Sequence, residues 1–475
     1  MTRRPVRWAG ALASLGLVAN AALPAAASAH GLVGKQDLPI PRWLFAWGAA
    51  LVLVISFVGL ATLWPKPRLE EVRERRVFRV PVQLEVLAGL IGIAIFVIVV
   101  YAGFAGVQTS TANLTPTVVY VLFWVGLPVL SCIFGDVFRP FNPWLAIGRG
   151  TGWLIKRLGA GAEPIAYPTW LGRYPAAAGI LAFAWVELVY VNKADPSTLS
   201  ILILAYAAAQ IVGMSVYGTD AWGRYGDAFG VYFNLFSRLA PLHWERGELR
   251  RRVPLGGAPQ LDPVPGTVAL LCTMIGTTSF DGFSQGPLWA GTNGLGIQLQ
   301  HRFLDLGFNA ETALEIGFTI GLVGVVLIVN GIYRLGVIGM RSVGENHTAT
   351  ELGRRFVHSL IPIALAYVIA HYCSLLLYQG QAIAYLISDP LGHGSNIFGT
   401  ADKTIDYSVI TATGVWYVQV VALVLGHACG LALAHDRALF MYRSPRAATR
   451  SQYWMLVVMI GFTSLGLWLL SAANS

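Results

Sequence analysis

The sequence predicts an all-α fold, a polytopic membrane helical bundle with about ten transmembrane helices after a cleaved signal peptide. Three observations predict it. Hydrophobic residues make up 55% of the 475 positions and charged residues only 12%, against about 25% charged in a soluble domain, and the mean hydropathy is +0.60. Apolar runs of about 20 residues, the length a helix needs to cross hydrocarbon, recur along the chain. Lysine and arginine collect in every second connection between those runs.

The chain starts with a basic stretch, MTRRPVR, then an alanine-rich apolar run, then Ala27-Ser28-Ala29. This order is that of a secretory signal with an A-x-A cleavage site, so residues 1–29 read as a signal peptide and 30–475 as one integral-membrane domain. Cleavage after Ala29 would leave His30 as the first mature residue. Its α-amino and imidazole nitrogens together form a chelating pair suited to copper.

The expected spans are 43–64, 84–106, 117–134, 176–192, 198–218, 265–283, 312–333, 357–379, 409–434 and 453–471. Connections 65–83, 135–175, 219–264, 334–356 and 435–452 hold 25 Lys and Arg, whereas the alternate connections hold five. Positive charge stays on the cytoplasmic side, so the sequence predicts a multi-pass protein of the bacterial inner membrane with its mature N-terminus outside. The net charge of +9 is then explained by orientation and by contact with membrane lipids, and nucleic acid is not an expected partner. The four cysteines lie in apolar segments without a CxxC pair, which argues against a disulfide framework. Two stretches, GDVFRPFN (135–142) and GDAFGVYFN (226–234), resemble each other once a one-residue gap is allowed.

Ionisable residues inside hydrocarbon are costly and mark interior or functional positions. His427 and His435 are eight residues apart, a rotation that leaves them within roughly 80° on one side of a helix. Gln419 extends this line, while Asp436 and Arg437 offer His435 the simpler role of a helix-end group. Tyr367, His371, Ser374 and Tyr378 make a second polar stripe, and Thr273, Thr277, Asp281 and Ser284 a third. Asp281, Glu315 and His371 share the outer half of the layer, beneath loops with His301, His393, Asp389 and Asp406, and Glu187 is a further acid at similar depth. Asp281, His371 and Glu315 are therefore the candidate catalytic residues. His30, His371, His393 and His427 are the candidate metal ligands, for a divalent metal such as Zn, Mn or Cu. The same residue types also serve metal-free acid–base chemistry or a proton relay. No HExxH, P-loop, GxSxG or CxxCH motif is present.

The strings AHGLVGKQDLPIP, GDVFRPFNPW, TTSFDGFS, HYCSLLLYQGQ, SDPLG and GHACGLALAHDRAL, spread over about 30–445, resemble the membrane-bound fenitrothion hydrolase family of bacterial proteins. That resemblance implies an exported membrane hydrolase of organophosphorus aryl esters acting on a small lipophilic substrate, and it assigns no catalytic residues. The residues alone equally admit a transporter or metal-handling protein with a histidine-lined path through the membrane.

Overall fold

The computed structural model describes residues 42–71, 74–159, 163–245, 247–343 and 347–473. The expected signal peptide and His30 lie outside them. Ten helices cover the ten expected segments: α1 (Arg42–Leu63), α2 (Val82–Ala105), α3 (Leu114–Phe134), α4 (Tyr174–Leu188), α5 (Pro196–Tyr217), α6 (Thr267–Ser284), α7 (Ala310–Met340), α8 (Ile361–Gln379), α9 (Ala412–Met441) and α10 (Tyr453–Ala473).

Six of them, α2, α3, α5, α7, α8 and α9, are long and apolar enough to cross a membrane. The 15 residues of α4 reach only about 22 Å, short of a ~30 Å core. In α6 polar residues dilute the hydropathy, yet 13 of its 18 residues are buried. It is an interior helix, where polar side chains face protein and not lipid. By contrast α2 turns Leu84, Val86, Leu87 and Leu90 outward, the surface expected of a lipid-facing helix.

Helix starts are set by side-chain caps at both ends of the bundle. Asp195 accepts from Thr198 N, Asn309 from Thr312 N and Thr411 from Gly414 N at one end; Asn142 accepts from Leu145 N, Thr348 from Glu351 N and Ser444 from Ala447 N at the other. Each cap satisfies a backbone donor that the helix cannot. The α8–α9 contact is close because glycines form it. A side chain at Gly426 would strike Ala366 and the Pro362 carbonyl, and one at Gly430 would meet the Ser359 carbonyl at 2.7 Å.

The five basic connections are knitted together at one end. Strands β1 (Arg75–Arg79), β2 (Leu242–Glu245) and β3 (Glu248–Arg251) form an antiparallel sheet in the order β1-β3-β2. Asp436, fully buried, accepts Trp64 Nε1 (2.9 Å), Arg68 N (2.6 Å) and Leu69 N (2.8 Å). Beside it Arg437 pairs with Glu70 at 2.7 Å and donates to the Pro259 carbonyl at 2.6 Å. His435 bonds the Trp64 carbonyl at 3.1 Å and receives the Gln452 amide at 3.3 Å. The His435-Asp436-Arg437 run is thus a clamp on the α1–α2 connection. It is buried at this end and not a group fraying into water.

The two similar stretches meet in the same region. Asn142 donates to Asp227 (2.8 Å) and Asn234 donates to Asp136 (3.0 Å), so each aspartate holds the asparagine of the other stretch. Each also accepts a backbone N–H three residues on, Arg139 N for Asp136 and Gly230 N for Asp227.

Candidate functional site

At the opposite end, α6 and α8 bring Asp281 and His371 together. His371 Nε2 lies 2.8 Å from Asp281 Oδ2, and the Tyr372 hydroxyl donates to the same oxygen at 2.9 Å. The two partners are 22% and 15% exposed at their side chains, which makes the pair reachable and still shielded enough for its electrostatics to count. A carboxylate only accepts, so the shared proton belongs to Nε2 and the Nδ1 lone pair is left free. That nitrogen faces the backbone of Gly282, 3.7 Å from where a β-carbon there would stand.

Behind the pair is a second acid. Glu187, on α4, interacts electrostatically with Asp281 and has Tyr372 and Trp124 as neighbours. Its Oε2, the Trp124 Nε1 and the Tyr232 hydroxyl are all buried without a hydrogen-bond partner among the described residues. Trp124 stacks on Tyr232 at 4.8 Å, and α3 carries Trp124 on a π-helical stretch, Thr117–Gly126, whose wider turn rotates side chains out of α-helical register. The cluster is therefore two carboxylates, one imidazole, two phenols and an indole. Sequence reading found Asp281, His371 and the acidity of Glu187. It did not find Tyr372, Trp124 or Tyr232, although Tyr372 adjoins His371.

Thr278, Ser279, Gly282, Tyr367, His371 and Leu423 line a small cleft at this site. Further along the same helices Ile275, Ile363, His427 and Phe462 belong to a second, apolar cavity. Tyr367 stands between the two, its ring 6.3 Å from that of His427 and its hydroxyl donating to the Phe462 carbonyl at 3.3 Å.

The other expected residues fall elsewhere. Glu315 accepts the Val191 backbone N–H at 3.2 Å and so ties α7 to the turn after α4. His393 is exposed on the loop after α8, where its backbone N–H and that of Gly394 are held by Asp389. His427 is fully buried in α9. His301 is exposed on the helix Leu295–Asp305. Thr277 and Ser284 bond back to their own helix, at the Met274 and Asp281 carbonyls, and Tyr378 donates to the Ile410 carbonyl. Thr277 and Ser284 of that stripe are thus satisfied within their own helix. Among the described residues no three His, Cys, Asp or Glu side chains gather where one metal ion would reach them all. His371, His393 and His427 thus do not form a shared ligand set.

The fold and the site define a multi-pass membrane protein with a carboxylate–imidazole pair inside its bundle. Comparison with known protein families, with characterised proteins and with solved structures finds no match.

Proposed function

We propose that the protein is an outward-facing membrane hydrolase of organophosphorus, phosphotriester-like aryl esters, with His371 as general base. The single observation that carries this reading is the 2.8 Å contact between His371 and Asp281 beside a small cleft that His371 lines. Asp281 orients the imidazole and balances the charge it gains. His371 Nδ1 takes a proton from water as the water oxygen bonds to phosphorus and the P–O bond to the aryl group breaks. An aryl oxide leaves as the anion, so no general acid is required of the protein. The excess of Lys and Arg at the far end of the bundle supports an outward placement of the site. Six helices long and apolar enough to cross support a multi-pass protein, and the ten expected spans require α4 and α6 to lie embedded among longer neighbours. The resemblance to the fenitrothion hydrolase family agrees with this substrate class.

The deciding experiment is hydrolysis of a nitrophenyl phosphotriester by purified protein in detergent, with and without a metal chelator. Release of nitrophenolate that disappears in His371→Phe supports the reading. Wild-type protein that never exceeds the buffer rate ends it. Chelator resistance would assign the chemistry to the pair alone.

A second reading is favoured by one observation, the two cavities stacked along α6, α8, α9 and α10 with Tyr367 between them. In that reading the protein handles a metal or moves a solute, and Tyr367 divides the path.

A further inference from the structure

His427 has no role in the proposed hydrolysis. Its Nδ1 is 2.8 Å from the Leu423 carbonyl one turn back, and its Nε2 is buried without a hydrogen-bond partner among the described residues. A carbonyl only accepts, so the proton sits on Nδ1 and Nε2 presents a bare lone pair. An unmet buried acceptor costs about 1–3 kcal/mol, a cost that a leucine at this position would not carry. His427 lines a cavity that Met455 and Met459 also line. These methionines are four residues apart on α10, hence on one face, and each is only 2% exposed. Tyr333, another wall residue, has already given its hydroxyl proton to the Gly353 carbonyl at 2.8 Å.

We propose that this cavity binds one Cu(I) ion through His427 Nε2 and the thioether sulfurs of Met455 and Met459. Thioether sulfurs are the soft donors that select monovalent copper, and a neutral imidazole suits copper as their partner. No carboxylate is among the lining residues. A divalent zinc or manganese ion would bring twice the charge into an apolar space with nothing to offset it. The carbonyl of Leu423 orients the imidazole as outer hydrogen-bond partners orient metal-binding histidines generally. This site goes beyond the hydrolytic reading and holds whether or not that reading does; it gives the second reading its cargo.

The test is an anaerobic titration of the full-length, detergent-solubilised protein with Cu(I) in competition with bicinchoninate. The wild type is expected to withdraw one equivalent. Met455→Leu and Met459→Leu, which preserve volume and hence the fold, should each weaken binding at least tenfold. His427→Phe should lose the equivalent, and His393→Ala should keep it. Failure of the wild type to withdraw copper overturns the site, as does wild-type affinity in both leucine variants. X-ray absorption at the copper edge supplies an independent reading. Sulfur scatterers support the assignment, and a shell of nitrogen and oxygen alone overturns it.

Discussion

Asn142 gives a side-chain N–H to Asp227 across 85 residues of sequence, at 2.8 Å. The reverse bond, from Asn234 to Asp136 at 3.0 Å, makes the connection after α3 and the connection after α5 hold each other. Asp227 also accepts from the Tyr206 hydroxyl at 2.7 Å and from Trp144 Nε1 at 3.2 Å. Since both aspartates are buried, losing an asparagine removes a donor that water cannot readily replace. Asn142→Ala is expected to destabilise by about 1–3 kcal/mol. A double-mutant cycle with Asp227→Asn should show coupling of about 1 kcal/mol or more. Thermal unfolding in detergent measures both, and strictly additive effects would deny the cross-bond its role.

The proposed chemistry separates by residue. Asp281→Asn and His371→Phe should each lower turnover by about a hundredfold or more, the usual worth of a positioned general base. Tyr372→Phe removes one hydrogen bond to the carboxylate and should cost about tenfold. His427→Phe, below Tyr367, should leave hydrolysis within about threefold. If the His427 variant alone abolished ester cleavage, the reaction would belong to the lower cavity.

Asp436 is the core of the clamp on the α1–α2 connection. Its removal leaves three donors, one indole and two backbone N–H groups, facing an empty space. Asp436→Ala is therefore expected to cost about 3 kcal/mol or more and to expose the 65–71 segment to protease. Unfolding temperature and limited proteolysis check it together. An unchanged cleavage pattern would place the strength of that end elsewhere.

Acid sensitivity is expected at the start of α5. The side-chain hydroxyl and backbone N–H of Thr198, joined by the Ser197 hydroxyl, hold the Asp195 carboxyl below the usual carboxylate range. A depressed carboxyl stabilises the fold above its unfolded value near 3.9, and that contribution fades as pH falls through the lower, folded value. Asp195→Ala should cost about 1 kcal/mol at neutral pH, as N-caps do, and the gap to wild type should close on acidification. Melting curves at successive pH values test this, and a gap independent of pH would point to packing instead.

The helices were legible because lipid demands a long apolar run for each span, and that signal is hard to disguise. Even α6, polar for a span, was found from its flanking apolar residues. The grouping of the basic connections was equally legible from charge alone. Pairing across the bundle was not. Asp281 and His371 share a depth, which sequence gives, but so does Glu315, which bonds Val191 N instead. Depth restricts a residue to a layer, and only helix rotation and neighbour order choose its partner there. Tyr372 shows the same limit, since neighbouring residues on a helix point about 100° apart and His371 and Tyr372 still converge on one oxygen. The 135–142 and 226–234 likeness did show in sequence. Its meaning, an exchange of asparagine bonds, needed the fold.

The β1–β3 pairing has a consequence for how the protein is made. Arg75 meets Arg251 and Arg79 meets Glu248, so β1 leaves the ribosome long before its partner exists. By then α2 to α5 must already have been delivered to the membrane. Until β3 arrives, β1 is an unpaired edge, and its sequence RRVFR fits that wait. Its arginines oppose edge-to-edge association with other chains and draw the strand to anionic lipid headgroups. Closure of the sheet is a late event with a long loop to close. It joins the α1–α2 connection to the α5–α6 connection only once helix insertion is well advanced, so a chain stalled after α5 would present this strand to the quality-control machinery.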